Sequence, residues 1–496
     1  MFHLFSNERR VRITHWISDH MLTRILVSHT SLAFCYGIFL FLYDIALLRE
    51  VIPVVHPILI GWAGGLFLYD VFIRDFWGKL PRWKPLALFV IATGLTALST
   101  LEAGLSTGIK SVIMVALPLC AFYPVCLLEA KANWENALVK ALMGAAVIVF
   151  LASLTAVGMY LVRFSAVVRF LGAEKLTGFR YYSPNDPSSG MILYGLYEDT
   201  NHAAIYALVF AVYSIVLYSA CGKGLFGKDW KNKVGRIFAV TNFVIQLVYF
   251  PLANSRGGWL CLGVAGIMAL FLYFFYTKFE KKKMWIRVAQ SAGISALCIL
   301  LIFGCLLGLR EGTSFISSTI HQGSFGEIKE PTVQDVTEPM EPSQGMPGDN
   351  FTKKDTSLGS GRIWIWKEAL KLYIRRPIFG VGANYQFYSE KYGVAPHSMG
   401  YGKAVHNSYL DLLLEHGLVG FVLMMSFWVL CLCDVLKKVH RNGRRLELEY
   451  VAVLFAVFLV AGASFFLSCV FVNTTAMYYV MLVMTGYLVA CEKEVA

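Results

Sequence analysis

Apolar residues fill this chain in long unbroken runs, and polar residues return between the runs at a regular interval. A helix that crosses a bilayer needs about 20 apolar residues. Runs of that order fall at 25–48, 51–73, 85–100, 109–128, 138–161, 202–221, 236–253, 257–277, 288–309, 412–435, 450–470 and 471–490. Their centres are nearly free of charge, and Asp44, Asp70 and Asp434 fall near run ends. The pattern predicts an all-α polytopic membrane protein with about 12 transmembrane helices, a single integral membrane domain over residues 1–496.

Basic residues divide the connections into two kinds. Arg74, Lys79, Arg82 and Lys84 follow the second run; Lys223, Lys228, Lys231, Lys233 and Arg236 follow the sixth. Lys278, Lys281, Lys282, Lys283 and Arg287 follow the eighth, and Lys437, Lys438, Arg441, Arg444 and Arg445 the tenth. Lysine and arginine concentrate in cytoplasmic loops, so even-numbered runs end in the cytoplasm and both termini lie there. The first 24 residues, with Arg9, Arg10, Arg12 and Arg24, are polar and basic and predict no cleavable signal peptide.

Two long connections then fall on the outer side, 162–201 and 310–411. The second exceeds ordinary loop lengths, which marks it as functional or disordered. Its stretch 327–355 is acidic, proline-bearing and poor in large apolar residues, as expected of a flexible insert. The sequence GRIWIWKEALKLYIRRP then places Ile363, Trp366, Leu370 and Tyr373 at helical spacing, and Pro377 stops the pattern. It predicts an amphipathic helix on the membrane surface or over a cavity.

Composition agrees with this reading. The chain is 57% hydrophobic and 15% charged, whereas soluble domains carry roughly 25% charge. The net charge of +12 is a topology signal, and no aromatic-plus-basic motif points to nucleic acid. All 11 cysteines lie in apolar runs or at their ends, which argues against a disulfide framework and against a zinc site.

Candidate chemistry gathers on the outer side. Asp199, Asn201 and His202 stand at the outer end of the sixth run, and Asn201 and His202 suit either a helix cap or a substrate contact. Arg256 stands in the turn Ser255-Arg256-Gly257-Gly258. Anchoring arginines favour the inside, and an ionisable residue at helix depth usually has a partner, so Arg256 is a functional candidate. Arg362 opens the amphipathic helix and suits either role. Gly380 and Gly382 match half of a phosphate loop but lack its strand–helix context, and fit a turn that needs permissive backbone. His406 precedes a plausible N-cap, Asn407, at the positive end of the tenth helix. That field disfavours the imidazolium, leaving a neutral ring able to accept a proton. Two arginines and a histidine on one membrane face suit a reaction that deprotonates a hydroxyl while a phosphate leaves. Tyr409 and Glu415 continue the His406 segment and join Asn407, Asn201, His202, Gly380 and Gly382 as candidate substrate contacts.

Four blocks in order resemble the O-antigen ligase and polymerase superfamily of membrane glycosyltransferases. They are EDTNHAAIYALV with Asn201; Ser255-Arg256-Gly257; Arg362 to Trp366 with Pro377 to Gly382; and His406-Asn407 followed by Tyr409, Leu410, Glu415, Gly417 and Gly420. They cover residues 195–425, and the first 160 residues match in hydropathy alone. The resemblance implies a GT-C-like helical fold in the bacterial cytoplasmic (inner) membrane, with an active site on the outer face. It implies transfer of a glycan from a polyprenyl (undecaprenyl) diphosphate to an acceptor hydroxyl on a lipid or glycan, without nucleotide sugar or metal. Arg256 and Arg362 would hold the diphosphate and His406 would activate the acceptor, with inversion at the anomeric carbon. A ligase caps lipid A core, as in lipopolysaccharide, or another terminal acceptor; a polymerase joins lipid-linked repeat units; both share these motifs. Two features depart from the family pattern: Asp199-Thr200-Asn201 stands where Asn-Pro-Asn is common, which weakens a role for Asn201, and the loop carries the acidic insert. A transporter or flippase would place ionisable residues near the bilayer midplane, where this chain has few. A non-catalytic assembly scaffold would tolerate loss of His406.

Overall fold

The computed structural model describes residues 20–49, 52–74, 80–128, 133–170, 173–183, 186–279, 281–322, 362–383, 385–394, 405–442, 447–470 and 475–490. Helices run at Met21–Leu26 (α1), His29–Tyr43 (α2), Val55–Phe72 (α3), Trp83–Ser99 (α4), Leu105–Phe122 (α5), Pro124–Leu127 (α6) and Trp134–Leu161 (α7). Strands Ser165–Phe170 (β1), Ala173–Ser183 (β2) and Asp186–Gly195 (β3) follow. Then come Thr200–Gly222 (α8), Asp229–Leu252 (α9), Arg256–Tyr273 (α10), Met284–Gln322 (α11), Arg362–Arg375 (α12), Tyr385–Tyr392 (α13), Ser408–Asn442 (α14), Leu448–Ala463 (α15) and Ala476–Ala490 (α16).

Among the described residues eight helices are long and apolar enough to cross a membrane, and α2, α4, α15 and α16 are shorter apolar helices. Each of the twelve apolar runs holds one of these helices. The protein is a polytopic, predominantly helical membrane protein. Helical spans suit lipid because the helix satisfies its own backbone hydrogen bonds. The centre of the bundle is α8 and α16, which are apolar on all sides and buried nearly throughout.

Basic side chains tie one end of the bundle together. Arg82 forks onto Asp434, its Nε donating over 2.6 Å. Lys223 reaches Glu135 at 2.9 Å. Asp70, near the end of α3, bonds His29 at 2.6 Å and Arg74 at 3.2 Å. The starts of α8, α10 and α14 lie at the opposite end.

Three features differ from the sequence expectation. The connection 162–201, read as a loop, contains the antiparallel sheet β1-β2-β3. Gly195 ends β3 against α7, where a Cβ would stand 2.3 Å from that of Ala156. Helix α11 runs through the expected boundary at 309 to Gln322, since no proline intervenes and single glycines such as Gly308 and Gly312 are tolerated in a helix. Its 39 residues make a rod of roughly 58 Å, nearly twice the hydrocarbon thickness. The third is α12, a helix as expected but with a shifted face: Glu368, Ala369 and Leu372 are buried, whereas Ile363 and Leu370 are exposed. The acidic insert at 327–355 lies outside the described residues.

A backbone clasp holds α14. At Gly417 (φ 65°, ψ −171°) the helix breaks into a short leading piece and a long apolar piece. A break orphans carbonyls on one side and N–H groups on the other. Here the turn after α12 takes both sets. Val381 and Gly382 donate to the carbonyls of Leu414 and Glu415, each over 2.9 Å. Leu418 and Val419 donate to the carbonyls of Pro377 and Ile378, over 2.8 and 3.2 Å. The backbones touch, so both partners must be glycine. A Cβ on Gly417 would stand 2.2 Å from Ile378 O, and one on Gly380 would stand 2.5 Å from Leu414 O. Gly417→Ala is therefore expected to destabilise the protein by about 3 kcal/mol or more, from strain plus lost hydrogen bonds. Gly304→Ala, where an added Cβ would meet no other part of the protein within 4 Å, is the control and should be neutral or slightly stabilising. Thermal unfolding followed by loss of the monodisperse species checks the pair; equal stability would mean that the clasp yields.

The same segment is pinned sideways to the α4–α5 connection. Arg376 reaches Glu102 at 2.8 Å, and Lys391 reaches the other carboxylate oxygen. These bonds, Lys391 foremost, hold the Glu102 carboxyl below its usual range.

Candidate active site

Three helix starts converge at the end opposite the basic cluster. Asp199, rather than Asn201 or His202, caps α8, accepting from the Asn201 amide at 2.7 Å and its side-chain Nδ2 at 3.0 Å. Ser255 caps α10, its Oγ accepting from the Gly258 amide at 3.0 Å. The same hydroxyl donates to Asn201 Oδ1 at 2.7 Å, so Asp199, Asn201 and Ser255 form one chain across two helices. Asn407 caps α14, its Oδ1 accepting from the amides of Tyr409 and Leu410 at 3.1 and 3.0 Å. Each cap satisfies orphan N–H groups, and each start presents the positive end of a helix dipole.

Two of the caps follow a residue in the left-handed region, Asn254 (φ 50°) before Ser255 and His406 (φ 57°) before Asn407. Asn and His are among the side chains that tolerate this region.

Arg362 and the two glycines after Arg256 face one narrow crevice with Asn201, beside Phe466 and Leu467. Arg256 is the first residue of α10 and its side chain is exposed. His406 is tied in from both sides. Trp366, one turn after Arg362, donates its indole N–H to the Val405 carbonyl at 3.1 Å. Ser408 donates to the Leu467 carbonyl at 2.7 Å. Asn201, Arg256, Arg362, His406 and Asn407 thus share one neighbourhood.

The other expected contacts have different partners. Gly380 and Gly382 give their amides to the carbonyls of Arg376 and Glu415. Both are buried in the clasp rather than presented on a substrate surface, Gly380 against the α14 backbone and Gly382 against the Thr100 side chain. Glu415 is buried beneath the clasp, its carboxylate 3.9 Å from the His416 ring. The Tyr409 hydroxyl donates to the Ala461 carbonyl at 2.9 Å and its ring packs on Phe465, which joins α14 to α15. His202 points to the far side of the α8 start, into a cavity of about 1180 Å³.

That cavity also takes Arg49, His56 and Lys110 from the first third of the chain, where the resemblance rested on hydropathy alone. A signal existed. By the charge rule that singled out Arg256, Arg49 and Lys110 are also cations on the side that the rule reads as outer.

Residues 241–425 match the family model described as O-antigen ligase. This match supports the resemblance to the O-antigen ligase and polymerase superfamily and spans three of the four blocks quoted above. The matched segment holds Ser255, Arg256, Arg362, the clasp and His406, and leaves out the cavity wall from the first third. The chain is also 26% identical over 245 residues to an uncharacterised protein of Haemophilus influenzae. That alignment covers 48% of this chain and 52% of the relative, so the chain spans about half the length of the curated relative it matches.

Proposed function

We propose that this protein is a membrane glycosyltransferase of surface polysaccharide biosynthesis. It moves a glycan from a polyprenyl diphosphate, of undecaprenyl type, to an acceptor hydroxyl at the outer face of the bacterial cytoplasmic membrane. The observation that carries the reading is the crevice that Arg362 shares with Asn201 and the start of α10, which Arg256 opens, with His406 held between the contacts of Val405 and Ser408 beside it. Arg256, Arg362 and His406 all lie in the segment that resembles O-antigen ligases.

The chemistry follows from the groups. The imidazole of His406 accepts the proton of the acceptor hydroxyl. The oxygen bonds to the anomeric carbon as the bond from that carbon to the diphosphate oxygen breaks, and the configuration inverts. The electron pair leaves on the diphosphate, whose charge Arg256 and Arg362 balance with bidentate hydrogen bonds. The α10 start adds backbone N–H groups and the positive end of its dipole, an arrangement suited to phosphate. The scheme draws on neither a nucleotide sugar nor a metal, as the family resemblance implies.

The test is transfer in vitro with purified protein, an undecaprenyl-diphosphate glycan and candidate acceptors. One added glycan per acceptor is the expected product and identifies a ligase; a ladder of repeat units would identify a polymerase. Absence of both with every acceptor and donor offered would sink the reading. The orientation has its own check. A cysteine at Ser343, outside the described residues, should react with an impermeant maleimide in intact cells. Labelling only after lysis would put the site on the cytoplasmic face.

A further inference from the structure

The cavity of about 1180 Å³ on the far side of the α8 start is not required by the scheme above. Its polar wall pairs acids with bases. Asp44 accepts from the Tyr206 hydroxyl, and Arg49 bonds Glu198 and lies over the Tyr43 ring, 5.2 Å from its centroid. Asp199 closes the wall towards Asn201, and Lys110 is exposed opposite. Three carboxylates against two permanent cations make a poor host for a diphosphate. Carboxylates, an ammonium, imidazoles and tyrosine rings together make a good host for an uncharged, hydroxyl-rich molecule.

An apolar groove of about 500 Å³ adjoins the cavity between α4 and α5. Leu95, Leu98, Leu101 and Leu105 line it, and Ile109 and Ile113 face both spaces. A polar head and a hydrocarbon tail would meet the two spaces in that order.

We propose that this cavity is a saccharide-binding site, separate from the arginine crevice, and that the α4–α5 groove takes the hydrocarbon chain of the saccharide's lipid anchor. The inference rests on the glycosyl-transfer reading for its place in the reaction, and Asn201, which lines both spaces, sets the saccharide beside the transfer site. The saccharide belongs either to the acceptor or to the donor.

The experiment uses two photoactivatable probes with the same alkyl chain, one an alkyl glucoside and the other an alkyl phosphate, on the purified full chain. The glucoside should label segments 105–114 and 194–202, and the phosphate should label them more weakly. Ser106→Trp fills the cavity from an exposed position and should cut glucoside labelling about tenfold; Glu198→Ala removes a hydroxyl acceptor and should act in the same direction. Arg256→Ala should leave the labelling unchanged. Equal or stronger labelling by the phosphate, or full labelling of both cavity variants, overturns the proposal. In the transfer assay a raised KM for acceptor assigns the saccharide to the acceptor, and a raised KM for donor assigns it to the donor. Unchanged KM for both overturns its place in the reaction. If the unsubstituted protein transfers nothing, the transferase reading fails, while the labelling still decides whether the cavity binds saccharide.

Discussion

Arg256→Ala is expected to abolish glycan transfer, and Arg256→Lys to leave about a hundredth of it or less. Arg256 is the first residue of α10, directly after the Ser255 cap that is bonded to Asn201. Its guanidinium offers a planar fork of donors that matches two phosphate oxygens at once, whereas a lysine offers a compact point charge. Removing one preorganised donor from a developing oxyanion typically lowers kcat by about 10²–10³. Lys367→Ala, which removes an exposed cation on α12, is the control for general charge loss and should retain activity. Initial rates at saturating acceptor decide the matter. A fully active Arg256→Lys would exclude planar recognition and return Arg256 to membrane anchoring.

His406→Ala should remove turnover while donor binding persists. An acceptor hydroxyl is a weak nucleophile at neutral pH, and general-base assistance is worth about 10²–10⁴ in rate. Alanine changes two things here, since it loses the imidazole and tolerates the left-handed backbone poorly. His406→Asn separates them: asparagine tolerates that region, so this variant should fold as well as the parent protein and still lose turnover to the same extent. Donor binding, measured on purified protein with the lipid diphosphate, should hold in both variants because the arginines are intact. Normal turnover in His406→Asn would remove the base from the mechanism. Lost donor binding would instead move His406 into the diphosphate site.

Much of this molecule is local in origin. Each apolar run holds a helix, because a backbone in lipid must satisfy its hydrogen bonds within the segment. The caps are local too. Asn407 bonds amides two and three residues ahead, and Asp199 and Ser255 do likewise at their own helices. The sheet at 165–195 escaped a reading based on runs because its strands lie in an otherwise polar connection, where hydropathy marks no span.

The rest depends on residues far apart in the chain. Arg49 and Glu198 are 149 positions apart, and Asp44 and Tyr206 are 162 apart. No periodicity connects them, so the cavity they wall is visible only in three dimensions. The glycines of the Pro377–Gly382 turn and of the Gly417 break were legible as motifs, and Gly380 and Gly382 fitted a turn, yet nothing in the sequence said what that turn packs against. Their meaning lies in the contact: two backbones approach so closely that neither side can carry a Cβ. Amino-acid pattern therefore determined the helices, their caps and the residue types available for chemistry, because those depend on neighbours within a few turns. Tertiary packing decided which polar groups meet and which glycines are structural, because those depend on contacts between segments that the chain order leaves independent.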